Sequence, residues 1–453
     1  MINKIINQLE QKNIAILGFG KEGQSTYEFI RKYKKELPLT ILDQKEDLKN
    51  DPSLQADRNL RLIVGEDYLK DLERYDCIIK TPGISLKDIK IENIQSKITS
   101  QIELLLEVKK ENVIGITGTK GKSTTTSIIY NLIKKQNPNV VLVGNIGTPV
   151  LSVLESCDEN TIFVMEISSH QLEFLKVSPH IGIILNLFED HLDHAGSIEH
   201  YHNIKLNMFR NQTKEDLMIY CSDNETLNKL IKQQDFKSKP YTVNMKNIEP
   251  SDVYLKEGNI YYKEKEIYRT SYPRKLLGNH NLENIVVALL VGTLMGLNND
   301  KMKETIKEFE PLDYRLQKIA EQNNVEYYVD TLATIPEATI KSIETLKKVN
   351  TLIFGGMDRG INYQILIDYL AKSPIEHFIC MPTTAHKISE FLPKSKVFLV
   401  NTLEEAVELA KRVTKKGSIC LLSPAAPSYD QFKNYKEKGD KYKEYIIKKN
   451  WKK

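Results

Sequence analysis

The stretch that most constrains this chain is Ile114-Gly115-Ile116-Thr117-Gly118-Thr119-Lys120-Gly121-Lys122-Ser123-Thr124, a glycine-rich turn between an apolar run and a helix-forming segment. Gly118 and Gly121 let the backbone bend tightly, so that its N–H groups can point at a phosphate chain. Lys122 can then reach the β- and γ-phosphates, and the Ser123 or Thr124 hydroxyl can ligate Mg²⁺. The two glycines stand closer together than in the usual G-x-x-x-x-G-K-[ST] loop, giving the rarer T-G-T-x-G-K-[ST] form. The pattern predicts a buried strand over Val113–Ile116 and a helix over Thr124–Lys135. A merely structural turn has no use for a Lys-Ser-Thr triplet at a helix start. The loop therefore reads as an ATP site, with Gly118, Thr119, Lys120, Gly121, Lys122, Ser123 and Thr124 as its contacts.

At 453 residues the chain exceeds one ordinary core and calls for two to three domains. Its apolar content of 41% and charged content of 27% fit a globular protein. The net charge of +4 is spread along the chain without a basic stripe, which argues against a nucleic-acid partner. The basic tail from Lys433 to Lys453 also carries Glu437, Asp440 and Glu444, and is read as a solvated terminal helix. Cys77, Cys157, Cys221, Cys380 and Cys420 lack metal or disulfide spacing, so free thiols in a reducing cytoplasm are expected. With no signal-peptide pattern and no apolar run of spanning length, the expectation is a cytoplasmic protein without membrane insertion.

Short apolar runs alternate with helix-compatible segments along the whole chain, the pattern of βαβ units and parallel sheets. Residues 1–105 hold the runs Ile14–Leu17, Leu39–Leu42, Leu62–Val64 and Cys77–Ile79. The first leads into Gly18-Phe19-Gly20-Lys21-Glu22-Gly23 and a helical Gln24–Lys35, and Asp43 ends the second. That is a dinucleotide-fold fingerprint: a tight turn, a helix N-terminus for a pyrophosphate and an acid for a ribose or base. NAD, FAD or a UDP-sugar all suit it. Residues 106–308 contain the ATP loop and the runs Val140–Val143, Thr161–Met165 and Ile181–Asn186. These end at Gly144-Asn145-Ile146-Gly147, Glu166-Ile167-Ser168-Ser169 and Asn186-Leu187-Phe188-Glu189-Asp190-His191, clusters that should converge on the ATP loop. Residues 309–453 repeat the alternation, with strands expected at Tyr327–Val329, Thr351–Phe354, His377–Cys380, Val397–Val400 and Ser418–Leu422. The expected fold is α/β in three domains, Rossmann-like, P-loop ATPase-like and Rossmann-like in that order.

Glu166 and His191 at strand ends are ligand types suited to Mg²⁺ beside a nucleotide, although His191 serves equally as a hydrogen-bonded structural histidine. His194, His200 and His202 read as structural. Lys205, taken alone, reads as a surface lysine of a helix. Arg315 opens the third block, where it would clamp a phosphate or form an interdomain salt bridge.

The order of motifs resembles the Mur ligases. The carriers are Thr117–Thr124, Gly144–Gly147, Glu166-Ile167-Ser168-Ser169-His170-Gln171-Leu172, Asn186 with Glu189–Asp193, and His280-Asn281-Leu282-Glu283-Asn284. The segment Leu422–Gly439 is most similar to the MurD branch. The resemblance implies an ADP-forming ligase of peptidoglycan precursor synthesis, using ATP and Mg²⁺. It would join glutamate to UDP-N-acetylmuramoyl-L-alanine through an acyl phosphate, as a monomer. It further implies that Gly18, Gly20, Lys21, Asp43, Thr81, Pro82 and Gly83 hold the UDP end, and that Asn145, Ser168 and His191 meet the muramoyl-alanine. Lys122, Ser123, Thr124 and Glu166 would hold ATP and its metal, and Lys205 would be carbamylated into an oxygen ligand. Asn281, Asn284, Arg315 and Asp330 would meet the rest of the nucleotide, with Thr334, Arg359, Ser428 and Tyr435 lining the amino-acid site. One departure stands out: the branch's Asp-Ser-Lys-Ala-Thr-Asn is here Asp330-Thr331-Leu332-Ala333-Thr334-Ile335, without the lysine, and Ala426-Pro427 replaces Cys-Ala. D-glutamate is the expected amino acid. Two readings compete: L-glutamate with the same chemistry, or a catalytically weak, nucleotide-gated binding protein. An NAD(P) oxidoreductase built on Gly18–Gly23 leaves the ATP loop and Lys205 unexplained.

Overall fold

The computed structural model describes residues 1–188, 197–246 and 250–448, and shows two compact units. The first comprises Met1–Arg274 and His280–Glu308, the second Lys275–Asn279 and Phe309–Lys453. Among the described residues no helix is long and apolar enough to cross a membrane.

The first unit contains two sheets. One has the order β3-β2-β1-β4-β5, from β1 (Ile14–Leu17), β2 (Leu39–Asp43), β3 (Leu60–Val64), β4 (Cys77–Lys80) and β5 (Ile98–Thr99), all parallel. The other has the order β14-β13-β12-β11-β10-β9-β6-β8-β7. Its parallel part is β6 (Val113–Thr117), β7 (Val140–Gly144), β8 (Ile162–Glu166), β9 (Ile181–Ile184), β10 (Leu217–Cys221) and β11 (Lys239–Asn244), continued by β12 (Val253–Lys256). The antiparallel β13 (Asn259–Tyr262) and β14 (Lys265–Arg269) close that edge. Strands β1, β2, β4 and β6 are buried along their whole length, which explains their unbroken apolar runs. One apolar cluster runs from Ile14 and Ile41 through Leu104–Leu106 to Phe163 and Met165, so the two sheets share a core. Gln101 clips them together: its amide donates to Glu22 O and Thr26 Oγ1 at 2.7 and 2.8 Å, and its oxygen accepts from Leu151 N.

The second unit is a sheet of order β15-β16-β20-β17-β18-β19. It is built from β15 (Gln317–Gln322), β16 (Val325–Val329), β17 (Val349–Phe354), β18 (His377–Cys380), β19 (Val397–Leu399) and β20 (Ile419–Leu422). All pairs are parallel except β15 with β16. Apolar clusters cover both faces, one with the helices Pro336–Leu346 and Gln364–Lys372, the other with Leu403–Val413 and Tyr435–Ile447.

Two expectations change. The C-terminal helix is not simply solvated: Tyr435–Ile447 buries Lys438, Gly439, Tyr442 and Ile446 against the sheet. Strands β10 to β15 add to the expected set: β14 and β15 are half-exposed and carry polar residues at both ends, whereas β10 is a largely buried apolar run outside the runs named above. The free cysteines match expectation, with Cys77, Cys221, Cys380 and Cys420 buried and Cys157 partly so.

Candidate active site

The glycine-rich loop expected to bind ATP lies at the carboxyl end of β6 and turns directly into the helix Lys122–Lys134. Gly121 caps that helix with φ 85°, and a Cβ there would stand 2.5 Å from Asn284 Oδ1. Glycine is required on both counts. Asn186 braces the loop from β9: its carbonyl accepts from Thr119 N at 2.9 Å and its Oδ1 from Lys120 N at 2.8 Å. Thr119 Oγ1 in turn accepts from Phe188 N at 3.0 Å. Lys122 Nζ folds over the loop, donating to Gly118 O and Thr119 O at 2.9 and 3.0 Å. Ser123 and Thr124 are buried in the first helical turn. Asn284 reaches this loop from the helix Asn279–Leu294: its Oδ1 accepts from Thr125 Oγ1 at 3.1 Å, and its amide donates to Asn281 behind it.

Glu166 ends β8 beside β6 and is 1% exposed. Its Oε1 accepts from Asn145 Nδ2 at 2.6 Å, while Oε2 is buried without a hydrogen-bond partner among the described residues. A buried, orphaned carboxylate oxygen next to an ATP loop fits a hard cation such as Mg²⁺. Ser168 instead caps the short helix Ser169–Leu172 through a capping box with Gln171, whose amide donates to Glu22 Oε1 at 2.8 Å. Burial raises the Glu22 carboxyl, against the Gln171 contact and the nearby charge of Lys80.

Lys205 overturns its surface reading. It lies on the helix Ile198–Arg210 at 1% exposure, with Nζ 3.2 Å from Gly118 O, 3.5 Å from Thr117 Oγ1 and 4.8 Å from the centre of the Tyr201 ring. His202 is buried on the same helix, and that burial lowers its imidazole. His191, Glu189, Asp190, Asp193 and His194 lie outside the described residues.

In the first sheet Gly18 abuts Thr81, whose Oγ1 a Cβ would meet at 2.1 Å, so the two loops close on each other. Thr81 Oγ1 donates to Leu17 O at 3.1 Å. Asp43 is buried, and both its oxygens accept backbone amides, from Phe19 at 2.5 Å and Lys45 at 2.8 Å. Its evident task here is to shape the Gly18–Gly20 turn. Gly20, Lys21 and Gly83 face open space beside that turn.

In the second unit Asp330 follows β16, accepting Leu316 N at 3.1 Å and the Ser342 hydroxyl. Burial raises its carboxyl despite those donors and the Arg315 charge. Tyr314 and Leu316 both take positive φ, 64 and 45°, around Arg315. Leu332 and Thr334 are half-buried on the next turn, and Arg359 is exposed beyond β17. Ser428, after β20, is buried with its Oγ lacking a hydrogen-bond partner among the described residues. Tyr435 packs edge-on against Tyr314 at 5.9 Å. Asn186 belongs to the strand-end cluster expected to converge on this loop, and it does so. The sequence reading did not single out Tyr201 or Lys438; a buried polar residue on a helix face packed against the sheet was the available signal for the last.

Two family models match this chain: "Mur ligase MurD-like, N-terminal domain" over residues 12–103 and "Mur ligase middle domain" over residues 116–292. A Caldanaerobacter subterraneus protein named UDP-N-acetylmuramoylalanine--D-glutamate ligase is 31% identical over 456 residues, covering 97% of this chain and 99% of its own. A protein of the same name from Bacillus velezensis is 32% identical over 444 residues, covering 96% and 97%. Solved structures share the fold at lower identity. MurF from Thermotoga maritima in complex with ADP aligns with TM-score 0.59 and 18% identity over 97% of this chain and 95% of that one. MurF from Acinetobacter baumannii aligns with TM-score 0.64 and 14% identity over 97% and 98%. The braced ATP loop, the orphaned carboxylate beside it and the near-complete overlap with these relatives lead to one conclusion: this chain belongs to the Mur ligase family, in its MurD-like branch.

Proposed function

We propose that this protein is an ATP-dependent ligase that joins D-glutamate to UDP-N-acetylmuramoyl-L-alanine in peptidoglycan precursor synthesis. The observation that supports the reading is that Lys122 and Lys205 both donate to the Gly118 carbonyl, with Glu166 ending the strand paired with β6, in a chain aligned nearly end to end with ligases of that name. The γ-phosphoryl of ATP passes to the alanine carboxylate: one P–O bond forms as the bond to ADP breaks. The neutral amine of glutamate then attacks the acyl carbon, and the adduct expels phosphate, loses a proton and leaves an amide.

The division of labour follows the sheets. Gly18, Gly20, Lys21 and Thr81–Gly83 of residues 1–105 receive the UDP end, with Asp43 holding the turn. In residues 106–308 Gly118–Thr124 receive the phosphates and Asn281 and Asn284 the remainder of the nucleotide, while Asn145, Ser168 and His191 serve the muramoyl-alanine. Residues 309–453 supply Arg315 and Asp330 to the nucleotide, and Thr334, Arg359, Ser428 and Tyr435 to glutamate. Ser123, Glu166, His191 and a carbamylated Lys205 would hold Mg²⁺, which supplies positive charge to the phosphate oxygens. Carbamylation adds CO₂ to the neutral Lys205 amine, forming one N–C bond and releasing one proton. Its motive is physical: an anionic oxygen donor suits a hard ion where an ammonium does not. The protein would act as a cytoplasmic monomer.

A second reading, L-glutamate, rests on Leu332, which puts an apolar side chain where the branch carries a cation. Phosphate release measured with D- and L-glutamate separately, each with UDP-N-acetylmuramoyl-L-alanine, tests both. Release with D-glutamate alone is expected. Preference for L-glutamate would change the stereochemistry, and release that ignores both substrates would end the ligase reading.

A further inference from the structure

Lys438 has no part in the chemistry above, yet it is among the largest fully buried side chains in the molecule, at 1% exposure. It sits in the first turn of the helix Tyr435–Ile447, and its Nζ donates to Gly355 O at 2.8 Å. Placing a cationic side chain so far from water is costly unless it holds something in place. What it holds is the bend after β17. Gly355 takes φ 121°, and a Cβ there would meet Met381 O at 2.4 Å; one on Gly356 would meet Pro427 O at 2.3 Å. Gly355 N donates to Pro424 O at 2.9 Å and Met357 N to Pro427 O at 2.8 Å. Gly356 O accepts from Thr383 N, Thr384 N and Thr384 Oγ1. The Gly355 carbonyl is the next acceptor of this tight bend, and Lys438 supplies its donor. The helix cannot slide to release it, because Gly439 lies against the Tyr314 ring and Tyr435 O accepts from Thr331 Oγ1 at 2.9 Å.

The charged groups around the amine are few. Asp430, on the connection after β20, opposes the fall that burial imposes on the amine, to about 8. On the bend, Asp358 pairs with Lys387 at 2.6 Å, which leaves Arg359 beside it. On the helix itself, Glu437 accepts from Lys433 N and Asp440 from the Tyr314 hydroxyl.

We infer that Lys438 is a positioning residue: it pins the Gly355 carbonyl, so that the bend presents Arg359 to the carboxylate of the incoming amino acid. The link to an amino acid rests on the proposed ligase function; the pinning of the bend does not. Both are measured on the full-length enzyme. Lys438→Met, of similar length without a donor, should speed amide hydrogen exchange over residues 353–361 about tenfold. It should also raise the KM for glutamate about tenfold, with the KM for ATP within twofold of wild type. Lys438→Arg, which keeps charge and donor, should restore both. If Lys438→Met does not fold, wild-type protection factors at pH 6.5 and 9.5 replace it, since deprotonation through about 8 should loosen the same segment. Exchange that stays unchanged in Lys438→Met, or across that pH range, overturns the inference. Faster exchange with an unchanged glutamate KM overturns the link to Arg359. Should wild type show no glutamate-dependent turnover, the ligase reading falls while the exchange result still judges the pin.

Discussion

The proposed ATP loop and the proposed amino-acid site at the end of the third sheet both lie at the carboxyl ends of parallel strands, but they are made differently. The loop is a contiguous run, Gly118 to Thr124, whose shape follows from local backbone demands and whose brace, Asn186, arrives from the adjacent strand. The proposed third-sheet site is assembled from three separate strand ends, at Asp330, Gly355 and Ser423–Ser428, and the terminal helix ties into two of them, through Tyr435 to Thr331 and Lys438 to Gly355. A contiguous loop concentrates function in single side chains. An assembled site spreads it, so that losing one residue leaves the others partly in place.

That contrast orders the expected effects. Lys122→Ala should lower ATP turnover about 10²–10³-fold, the usual consequence of removing one electrostatic contact to a transferring group; phosphate release measures it, and unchanged turnover would remove the loop from the chemistry. Lys205→Ala should be nearly inactive and partly rescued by added acetate, whereas full activity in Lys205→Arg would end the carbamate proposal, since a guanidinium cannot take up CO₂. Gly121→Ala forces a left-handed φ on alanine and a clash with Asn284, strain of about 1–3 kcal/mol. The KM for ATP should rise roughly tenfold, measurable by nucleotide titration. Arg359→Ala should raise the KM for glutamate by roughly tenfold, the scale of one charge-assisted contact, and spare the KM for ATP. An equal effect on both would mean that the third-sheet site is no more divided than the ATP loop.

The smallest effect concerns Asp330. Burial raises its carboxyl in the folded chain, so the folded state keeps that proton to higher pH than the unfolded chain does. This group's contribution to stability is present at low pH and is lost as pH rises from the ordinary carboxylate range through the folded value. Asp330→Asn should therefore raise the thermal midpoint of the protein slightly at neutral pH and leave it nearly unchanged in acid, as calorimetry at two pH values would show. A lower midpoint at neutral pH would mean that the Ser342 and Leu316 contacts outweigh the burial of the charge.

Much of the architecture was legible beforehand for a simple reason. Strands buried on both faces must be continuously apolar, so β1, β2, β4, β6 and β17 announce themselves, and a glycine pair followed by Lys-Ser-Thr carries its own geometry. The sequence alone determined parallel α/β sheets, a glycine-rich turn at Gly118–Thr124 between strand and helix, and an acid, Glu166, at the end of the neighbouring strand. Only the tertiary structure decided that Lys205 and Lys438 are interior, that both Asp43 oxygens hold backbone amides, and that Gly121 abuts Asn284. Burial and partnership of a polar side chain are set by what packs on it from far along the chain: 87 residues separate Lys205 from Gly118, and 83 separate Lys438 from Gly355. No local periodicity carries that information.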